Sequence, residues 1–286
     1  GYEACWWDVR QTIKTDSRHR SARVDEEKMI ENGKSLMSLF NQNKIVITQG
    51  FIGEGPNGET TTLGREGSDY SAALLACASE ASEVNIWKDV QGMHNADPRI
   101  FEDTIIIEKL DYHEALELSY YGASVIHPRT VKPLQNRKIP LFVKSFINPE
   151  GPCTCIGDFP ELQVETPMYI SRPNITLMSL GPADHSFVGE DHLETVFGAL
   201  AKSCIHVRMM QNSAVQFSIV FDTDDEKQER LEKTLGSGFL ISSIKGLDLL
   251  TVRHGSKDLI DGLTSGREVI MEQVNPPTVR RLLSPS

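Results

Sequence analysis

The sequence predicts an α/β protein built from two consecutive parts. Up to about residue 150, segments with helical periodicity alternate with short apolar runs, which favours a parallel sheet covered by helices. From Ile175 onward the order is strand, helix, strand, strand, helix, strand, the order of a ferredoxin-like unit. Between the two parts, residues 148–167 are rich in Pro, Gly, Cys and Asp and lack periodicity, as expected at a domain boundary.

The first part supplies three helices and three strands. Apolar side chains at helical spacing predict helices over 25–41, 68–82 and 112–121, the last ending at Gly122. Short apolar runs predict buried strands over 45–48, 84–87 and 139–143.

In the second part, the pattern predicts a complete unit and much of a second copy. The expected elements are strands over 175–180, 205–210, 214–222 and 240–244, helices over 190–203 and 225–235, and then strand 247–253, helix 256–263 and strand 268–271.

Composition and net charge argue against some classes of protein and of binding partner. The 286 residues are 39% hydrophobic, enough for two cores, and carry a formal charge of −11. Nucleic acids and anionic membranes are bound by clustered Lys and Arg, so neither is expected as a partner. No apolar run approaches the roughly 20 residues that span a bilayer, and no leader is recognisable, which predicts a soluble cytoplasmic protein.

The cysteines predict reduced thiols and no metal site. There are 5 of them, an odd number in a chain too long to need a disulfide framework. Cys153 and Cys155 are the closest pair, and they fall short of the about four ligands that a zinc site requires.

The segment Thr60–Asp69, Thr-Thr-Thr-Leu-Gly-Arg-Glu-Gly-Ser-Asp, predicts an anion-binding cradle at the start of a helix. Gly64 and Gly67 can bring backbone amides close to phosphate oxygens, and the helix start adds unpaired N–H groups and the positive end of its dipole. Arg65 adds a planar fork for a carboxylate or phosphate. The strand and loop over 44–53 are expected to end at the same sheet edge, where ligands of open α/β sheets bind.

The same residues also fit an ordinary helix after a flexible loop. In that interpretation Ser68 is the N-cap and Asp69 is favoured by the helix dipole. A Walker P-loop is excluded under either interpretation, because no Gly-Lys-Ser/Thr follows the glycines.

Three segments in order resemble aspartokinases, which have the amino-acid kinase fold. They are the cradle, Ile86-Trp-Lys-Asp-Val-Gln-Gly-Met-His-Asn-Ala-Asp-Pro-Arg99, and Tyr121-Gly-Ala-Ser-Val-Ile-His-Pro-Arg129. The rest of the chain resembles the paired ACT regulatory domains of that family. The resemblance implies the C-terminal part of an amino-acid-kinase-type parallel sheet sandwich over 1–150, a linker over 151–170, and two tandem or intertwined ferredoxin-like ACT domains over 171–286.

The resemblance implies transfer of the γ-phosphoryl of ATP, bound with Mg²⁺, to the β-carboxylate of L-aspartate, giving 4-phospho-L-aspartate. The acceptor is already an anion, so catalysis requires alignment and charge neutralisation rather than a general base. Arg65 would grip the substrate carboxylate, and Asp69 would organise a phosphate-binding lysine and the metal. The other residues expected at the substrate are Thr62, Gly67 and Ser68, with Gly64 offering backbone contacts.

On the nucleotide side, the resemblance implies contacts from Lys88, Asp89, His94, Arg99 and Ser124. His94 stands where many members carry Tyr, and Ser124 stands where Lys is frequent, which removes a phosphate-facing cation. We therefore expect Lys88 or Arg99 to compensate.

Glu66, His127 and the start of the chain qualify the resemblance. Glu66 replaces a glycine of the cradle, and because a non-glycine residue takes positive φ at a cost, its side chain is expected to point away from the phosphates. His127 is expected to be a buried, hydrogen-bonded structural residue. The Lys-Phe-Gly-Gly loop that opens aspartokinases, whose lysine would face Asp69, is not found, and the chain begins with Gly1. The chain is therefore expected to be part of a longer protein and inactive alone.

The segment Met209–Val215 resembles the ACT loop that binds a feedback amino acid. Asn212 and Ser213 would hold its α-amino and α-carboxylate groups, and the loop over 183–192 would face them. The expected effector is lysine, or else threonine, and the expected assembly is a homodimer through the ACT domains. A polar hairpin turn is the alternative for Asn212 and Ser213.

Two other functions remain open for the whole chain. One is an amino-acid kinase that acts on acetylglutamate, glutamate or a nucleotide. The other is a non-catalytic amino-acid sensor with a degenerate kinase lobe.

Overall fold

The computed structural model describes residues 3–40, 42, 45–123, 125–159, 161–162 and 164–285. Contacts between residues divide the chain into two compact units, Gly1–Gln163 and Val164–Ser286. Each unit has sheets and a core of its own.

The described residues of the first unit form both strands and helices, but the predicted alternation is interrupted by consecutive strands and by one pair of consecutive helices. In chain order the elements are β1 (Ala4–Trp7), α1 (Glu26–Phe40), β2 (Ile45–Thr48), β3 (Ile52–Glu54), β4 (Thr60–Thr62), α2 (Gly67–Ala78), β5 (Val84–Lys88), β6 (Lys109–Asp111), α3 (Tyr112–Tyr121), α4 (Pro128–Arg137), β7 (Leu141–Ser145) and β8 (Thr154–Gly157). Helices α1, α2 and α3 confirm the three predicted helices, and strands β2, β5 and β7 confirm the positions of the three predicted strands. Strand β2 lies in a two-stranded sheet with β1, and its Ile45 and Ile47 are 47% and 54% exposed, so the prediction that this strand is buried is wrong. Gly122 caps the C-terminus of α3, as predicted.

The sheets of the first unit are mainly parallel. Strand β1 pairs with β2 in parallel, and a four-stranded sheet has the order β5-β7-β8-β6. In that sheet β5 pairs with β7, and β6 with β8, in parallel, but β7 and β8 are antiparallel. The predicted parallel pairing is confirmed for β5 with β7. Strand β8 lies in the stretch where no strand was predicted, and it is antiparallel to β7 because the short connection between them leaves no room for a crossover helix. Strands β3 and β4 form a separate hairpin.

The second unit is a single antiparallel sheet with helices. Its elements are β9 (Met168–Pro182), α5 (Glu190–Lys202), β10 (Val207–Asn212), β11 (Phe217–Asp222), α6 (Asp225–Leu235), β12 (Phe239–Arg253), α7 (Lys257–Leu263), β13 (Val269–Asn275) and β14 (Thr278–Leu283). The strand order is β10-β11-β9-β12-β14-β13. The two strands predicted over 240–244 and 247–253 are one strand, β12, which is irregular between Ile244 and Leu247.

Alternation along the long strands gives this sheet apolar side chains on both faces. On β9, Met178 and Leu180 join the buried cluster that holds the apolar faces of α5 and α6. The neighbouring Leu177 and Ile175 belong to a second buried cluster, with Leu249 of β12 and four further buried residues. The strands predicted in this part therefore contribute buried side chains to two clusters.

Candidate functional site

The cradle is a tight turn between β4 and α2. Gly64 has φ +82°, a conformation that residues with a Cβ rarely adopt. The amide of Leu63 donates to the carbonyl oxygen of Phe51 at 2.8 Å. A Cβ on Gly67 would lie 2.7 Å from Phe51 Cδ2, so only glycine fits at the first residue of α2. The loop after β2 therefore fixes the path of the cradle.

A buried hydroxyl joins that loop to the helix. Ser71 Oγ donates to the carbonyl of Gly67 at 2.7 Å and accepts from the amide of Phe51 at 2.7 Å. A Cβ on Gly50 would lie 3.4 Å from Ser68 Cα, so the end of the β2 loop lies directly against the helix start. The prediction that strand 45–48 ends beside the cradle is confirmed.

Asp69, in the first turn of α2, forms an ion pair with Lys88, the last residue of β5. Lys88 Nζ lies 2.8 Å from Asp69 Oδ2 and donates to the carbonyl oxygen of Val125 at 2.5 Å. The contact with Asp69 is an ion pair and not a hydrogen bond, since Asp69 Oδ2 has no hydrogen-bond partner among the described residues. An ammonium group has three N–H donors, so donors remain beside the one directed to Val125. The side chains of Lys88 and Asp69 are 22% and 18% exposed, which leaves the pair within reach of a ligand. Lys88 therefore meets Asp69 from within the chain, and the lysine expected from a Lys-Phe-Gly-Gly loop stays a prediction.

Arg65 and Glu66 occupy the turn itself. Arg65 is exposed. Glu66 precedes the helix with φ 52° and ψ 33°, in the left-handed region. Its Oε2 atom is buried and receives no hydrogen bond from the described residues. The helix begins at Gly67, so the interpretation of Ser68 as the N-cap is wrong.

The remaining cradle residues are arranged differently. Thr62 lies in β4, where its hydroxyl donates to the carbonyl of His19 at 2.9 Å. Ser68 is exposed at the second position of α2.

The expected nucleotide residues after β5 bond mainly within their own loop. His94 Nδ1 is 3.0 Å from Thr104 Oγ1. The Arg99 guanidinium binds Asp97 through two bonds of 3.0 and 2.7 Å, and this carboxylate raises the pKa of Arg99. Asp89 is exposed immediately after β5. Ser124 lies outside the described residues.

Arg129, at the start of α4, supports the cradle and was not assigned a role from the sequence. Its guanidinium donates to the carbonyl of Leu63 at 2.7 Å and lies 4.6 Å from the ring centroid of Tyr70. His127 is the N-cap of α4, and its Nδ1 accepts from the amide of Arg129 at 3.1 Å. Burial lowers the pKa of His127. The structural role predicted for His127 is confirmed, although the residue is half-buried.

In the second unit, Asn212 and Ser213 lie at an exposed turn between β10 and β11. Ser213 Oγ donates to the carbonyl of Gln216 at 2.9 Å. The amide of Val188, in the loop over 183–192, donates to the carbonyl of Ala214 at 2.9 Å. The loop that was expected to face the turn therefore contacts it.

Two features are absent from the described part of the chain. No helix there is long and apolar enough to cross a membrane. Nor do its His, Cys, Asp and Glu side chains form a group of three or more that could hold a metal ion.

Sequence comparison shows which known proteins the chain is similar to. Residues 2–145 match the amino acid kinase family. Lysine-sensitive aspartokinase 3 of Escherichia coli (strain K12) is 38% identical over 285 residues, which are 96% of this chain and 62% of that protein. The aspartokinase of Chlamydia pneumoniae is 32% identical over 94% of this chain and 60% of its own length. The chain thus spans about three fifths of these two relatives.

Solved structures give the same result. The crystal structure of E. coli aspartokinase III in complex with aspartate and ADP has a TM-score of 0.80 and 30% identity, covering 99% of this chain and 66% of that one. The complex of the same enzyme with lysine and aspartate has a TM-score of 0.81 and 31% identity. The chain therefore belongs to the amino acid kinase family and is similar to the aspartokinases within it.

Proposed function

We propose that the protein is an aspartate kinase, which transfers the γ-phosphoryl of ATP to the β-carboxylate of L-aspartate to give 4-phospho-L-aspartate. The observation that carries the proposal is the Lys88–Asp69 ion pair of 2.8 Å beside a glycine cradle at a helix start. This arrangement gathers a cation, backbone amides and a helix dipole where charge must be neutralised. The similarity to aspartokinases selects aspartate as the acceptor.

Each cradle residue then has a role. Arg65, exposed at the turn, holds a substrate carboxylate with its guanidinium fork. Asp69 keeps the Lys88 ammonium in place by charge, and an N–H of Lys88 that is not directed to Val125 binds a phosphoryl oxygen. The cradle residues Thr62, Gly64, Gly67 and Ser68 align the acceptor. No residue removes a proton, because the attacking carboxylate oxygen is already ionised.

ATP and its magnesium ion fit this part of the molecule. Mg²⁺ is usually held by one or two carboxylates together with substrate phosphates. Asp69, which pairs with Lys88, and Asp89, the exposed residue that follows Lys88, are the carboxylates we assign to it. When bound, the ion neutralises charge on the phosphoryl oxygens. His94, Arg99 and Ser124 complete the proposed nucleotide site. Arg99 would have to leave Asp97 in order to bind a phosphate. We therefore propose that Lys88 is the cation that compensates for the lysine replaced by Ser124.

We further propose that residues 171–286 form two intertwined ACT domains and that 1–150 belong to the kinase domain. The linker predicted over 151–170 is not wholly a connection, because Thr154–Gly157 form β8 in the sheet of the first unit and β9 begins at Met168. The order β12-β9-β11-β10, with α5 and α6 packed on one face, supports a ferredoxin-like unit. Strands β9 and β12 continue beyond it to pair with each other, and β12 pairs with β14, which supports a second, joined unit. Lysine would bind at Asn212 and Ser213, and the ACT domains would form a homodimer in the cytoplasm.

The full-length protein should produce ADP only when ATP, Mg²⁺ and L-aspartate are all present. Lys88→Met should lower kcat/KM by about 100-fold, as the loss of one transition-state contact does, and should raise the KM for ATP. Arg65→Lys should raise the KM for aspartate, because an ammonium group cannot make the bidentate contact. Lys132→Met is the matched control, since Lys132 is exposed on α4.

Several outcomes would contradict the assignment. An unchanged KM for ATP in Lys88→Met would remove Lys88 from the nucleotide site. Turnover of acetylglutamate or glutamate in place of aspartate would indicate another amino-acid kinase. Thermal stabilisation by lysine without any effect of ATP would indicate a sensor. That residues 1–286 alone are inactive stays a prediction, tested by the same ADP assay.

A further inference from the structure

Arg129, the second residue of α4, contacts three separate segments of the chain at the cradle. Its Nη1 donates to the carbonyl oxygen of Leu63 at 2.7 Å, and its Nη2 donates to the carbonyl oxygen of Ala22 at 3.4 Å. Its Cζ lies 4.6 Å from the ring centroid of Tyr70, near the start of α2. A planar guanidinium can stack on a ring while it donates in two directions, whereas an ammonium group is a compact point charge.

Leu63, the residue that leads into the cradle turn, is held on both sides of its backbone. Its amide donates to the carbonyl of Phe51 at 2.8 Å, and its carbonyl accepts from Arg129. Its side chain is fully buried. The next residue, Gly64, has the conformational freedom of glycine, so contacts outside the turn must set the direction of the chain there.

The loop before α1 packs directly on the same turn. The amide of Ala22 donates to the carbonyl of Thr62 at 3.0 Å. A Cβ on Gly64 would lie 3.2 Å from Ser21 Oγ. Because Arg129 donates to this loop as well as to the turn, one side chain holds the two segments together.

We propose that Arg129 is a positioning residue for the substrate site, which acts through Arg65. By fixing the carbonyl of Leu63, it sets the direction from which Arg65, two residues further on, meets the substrate carboxylate. Arg65 is exposed, so its placement depends on the backbone that carries it. Small misplacements of such a group lower catalysis strongly. The inference rests on the proposed function and adds to it a residue that does not touch the substrate.

The experiment is a double-mutant cycle in the full-length protein, with Arg129→Met, Arg65→Met and the double variant. Arg129→Met should lower kcat/KM for L-aspartate about tenfold when Arg65 is present and by less than about twofold when Arg65 is already replaced. A purely structural defect would instead lower kcat/KM by the same factor in both backgrounds. Arg129→Lys should be intermediate, because lysine keeps the charge but not the planar fork.

Arg137 provides the matched control at the other end of the same helix. It is exposed in the last turn of α4. Arg137→Met should therefore keep the kcat/KM of the wild type.

Hydrogen exchange of the ligand-free protein gives a readout that does not depend on catalysis. The amides of Thr62, Leu63 and Gly67 all donate to backbone carbonyls at the cradle. They should exchange about tenfold faster in Arg129→Met than in the wild type, because the turn opens more often. Exchange within β7, away from the cradle, should not change, and Arg137→Met should exchange like the wild type at both places.

Two results would overturn the proposal for Arg129. One is an equal loss of kcat/KM in both Arg65 backgrounds, and the other is unchanged exchange at the cradle in Arg129→Met. If the wild type does not phosphorylate aspartate, the proposed function fails, while the exchange rates still test whether Arg129 holds the cradle.

Discussion

Asp8 illustrates how a single residue makes stability depend on pH. It directly follows β1, where the Arg10 guanidinium donates to both carboxylate oxygens and Gln49 donates to Oδ1. The hydrogen bond from Arg10 is the main cause that lowers the pKa of Asp8 from 3.8 to about 2. A carboxyl group with a lowered folded-state pKa stabilises the protein above the unfolded-state pKa. That contribution is lost as the pH falls from about 4 to about 2.

We therefore predict that Asp8→Asn unfolds with a weaker pH dependence than the wild type. The free energy of unfolding should be measured in urea at pH 5 and at pH 2.5. Its decrease between these two pH values should be smaller in the variant than in the wild type, by up to about 2 kcal/mol. Arg10→Met should remove the same part of the pH dependence, because it removes the main donor. Identical pH dependence in all three proteins would contradict this assignment.

At the residue scale, local sequence motifs predict which residues belong to the site better than they predict which residues contact one another. The sequence places Arg65 and Asp69 in a cradle, because glycines, hydroxyls and a helix start adjoin there. It does not reveal that Lys88 binds Asp69, since that ion pair depends on the distance between β5 and α2. Arg129 was missed for the same reason, as its acceptor Leu63 is 66 residues away. The left-handed conformation of Glu66 agrees with the glycine expected at its position.

At the element scale, amphipathic periodicity predicts most helices, but one helix was not predicted because it contains a proline. Helix α4 contains Pro133 in its interior, which argues against a helix in the sequence. Its N-terminal signals are nevertheless ordinary, with His127 as N-cap and Pro128 at the first position. Burial of Thr130, Val131 and Leu134 on one face stabilises it in the folded unit. Tertiary packing therefore decides this element, and no local pattern shows it.

Close packing of α1 on α2 gives a prediction for a helix interior. A Cβ on Gly33 of α1 would overlap the backbone carbonyl oxygen of Ala78 in α2. Gly33→Ala should therefore force the helices apart and destabilise the protein by about 1–3 kcal/mol, measured by urea unfolding.

Gly198→Ala is the matched control for that substitution. Gly198 also lies within a helix, α5, but no atom lies within 4 Å of an added Cβ. Because alanine has the higher helix propensity, this variant should be more stable by about 0.5–1 kcal/mol. If Gly33→Ala also stabilised the protein, the conclusion that α1 and α2 pack too closely at Gly33 for a Cβ would be contradicted.

At the scale of the whole molecule, the sequence predicts the order of elements better than their pairing. The division between the units falls after Gln163, inside the stretch where composition changes. The continuous pairing of β9 with β12 could not be predicted, because the two strands are far apart in sequence and each was expected to be shorter. Register along such strands follows from the whole sheet, in which both faces bury apolar side chains.

The proposed regulation belongs to this scale, because it requires an amino acid bound to the second unit to change catalysis by the first. We predict that Asn212→Ala in the full-length enzyme raises the lysine concentration for half-maximal inhibition by about tenfold, since one hydrogen bond to a charged group is lost. Asn275 is the matched control. Each asparagine is exposed at the end of a strand before a hairpin, Asn212 in β10 and Asn275 in β13 of the same sheet. Asn275→Ala should therefore keep the lysine response of the wild type. An equal loss of inhibition by lysine in both variants would indicate a general effect on the sheet. If threonine inhibited the wild type and lysine did not, the effector would be threonine.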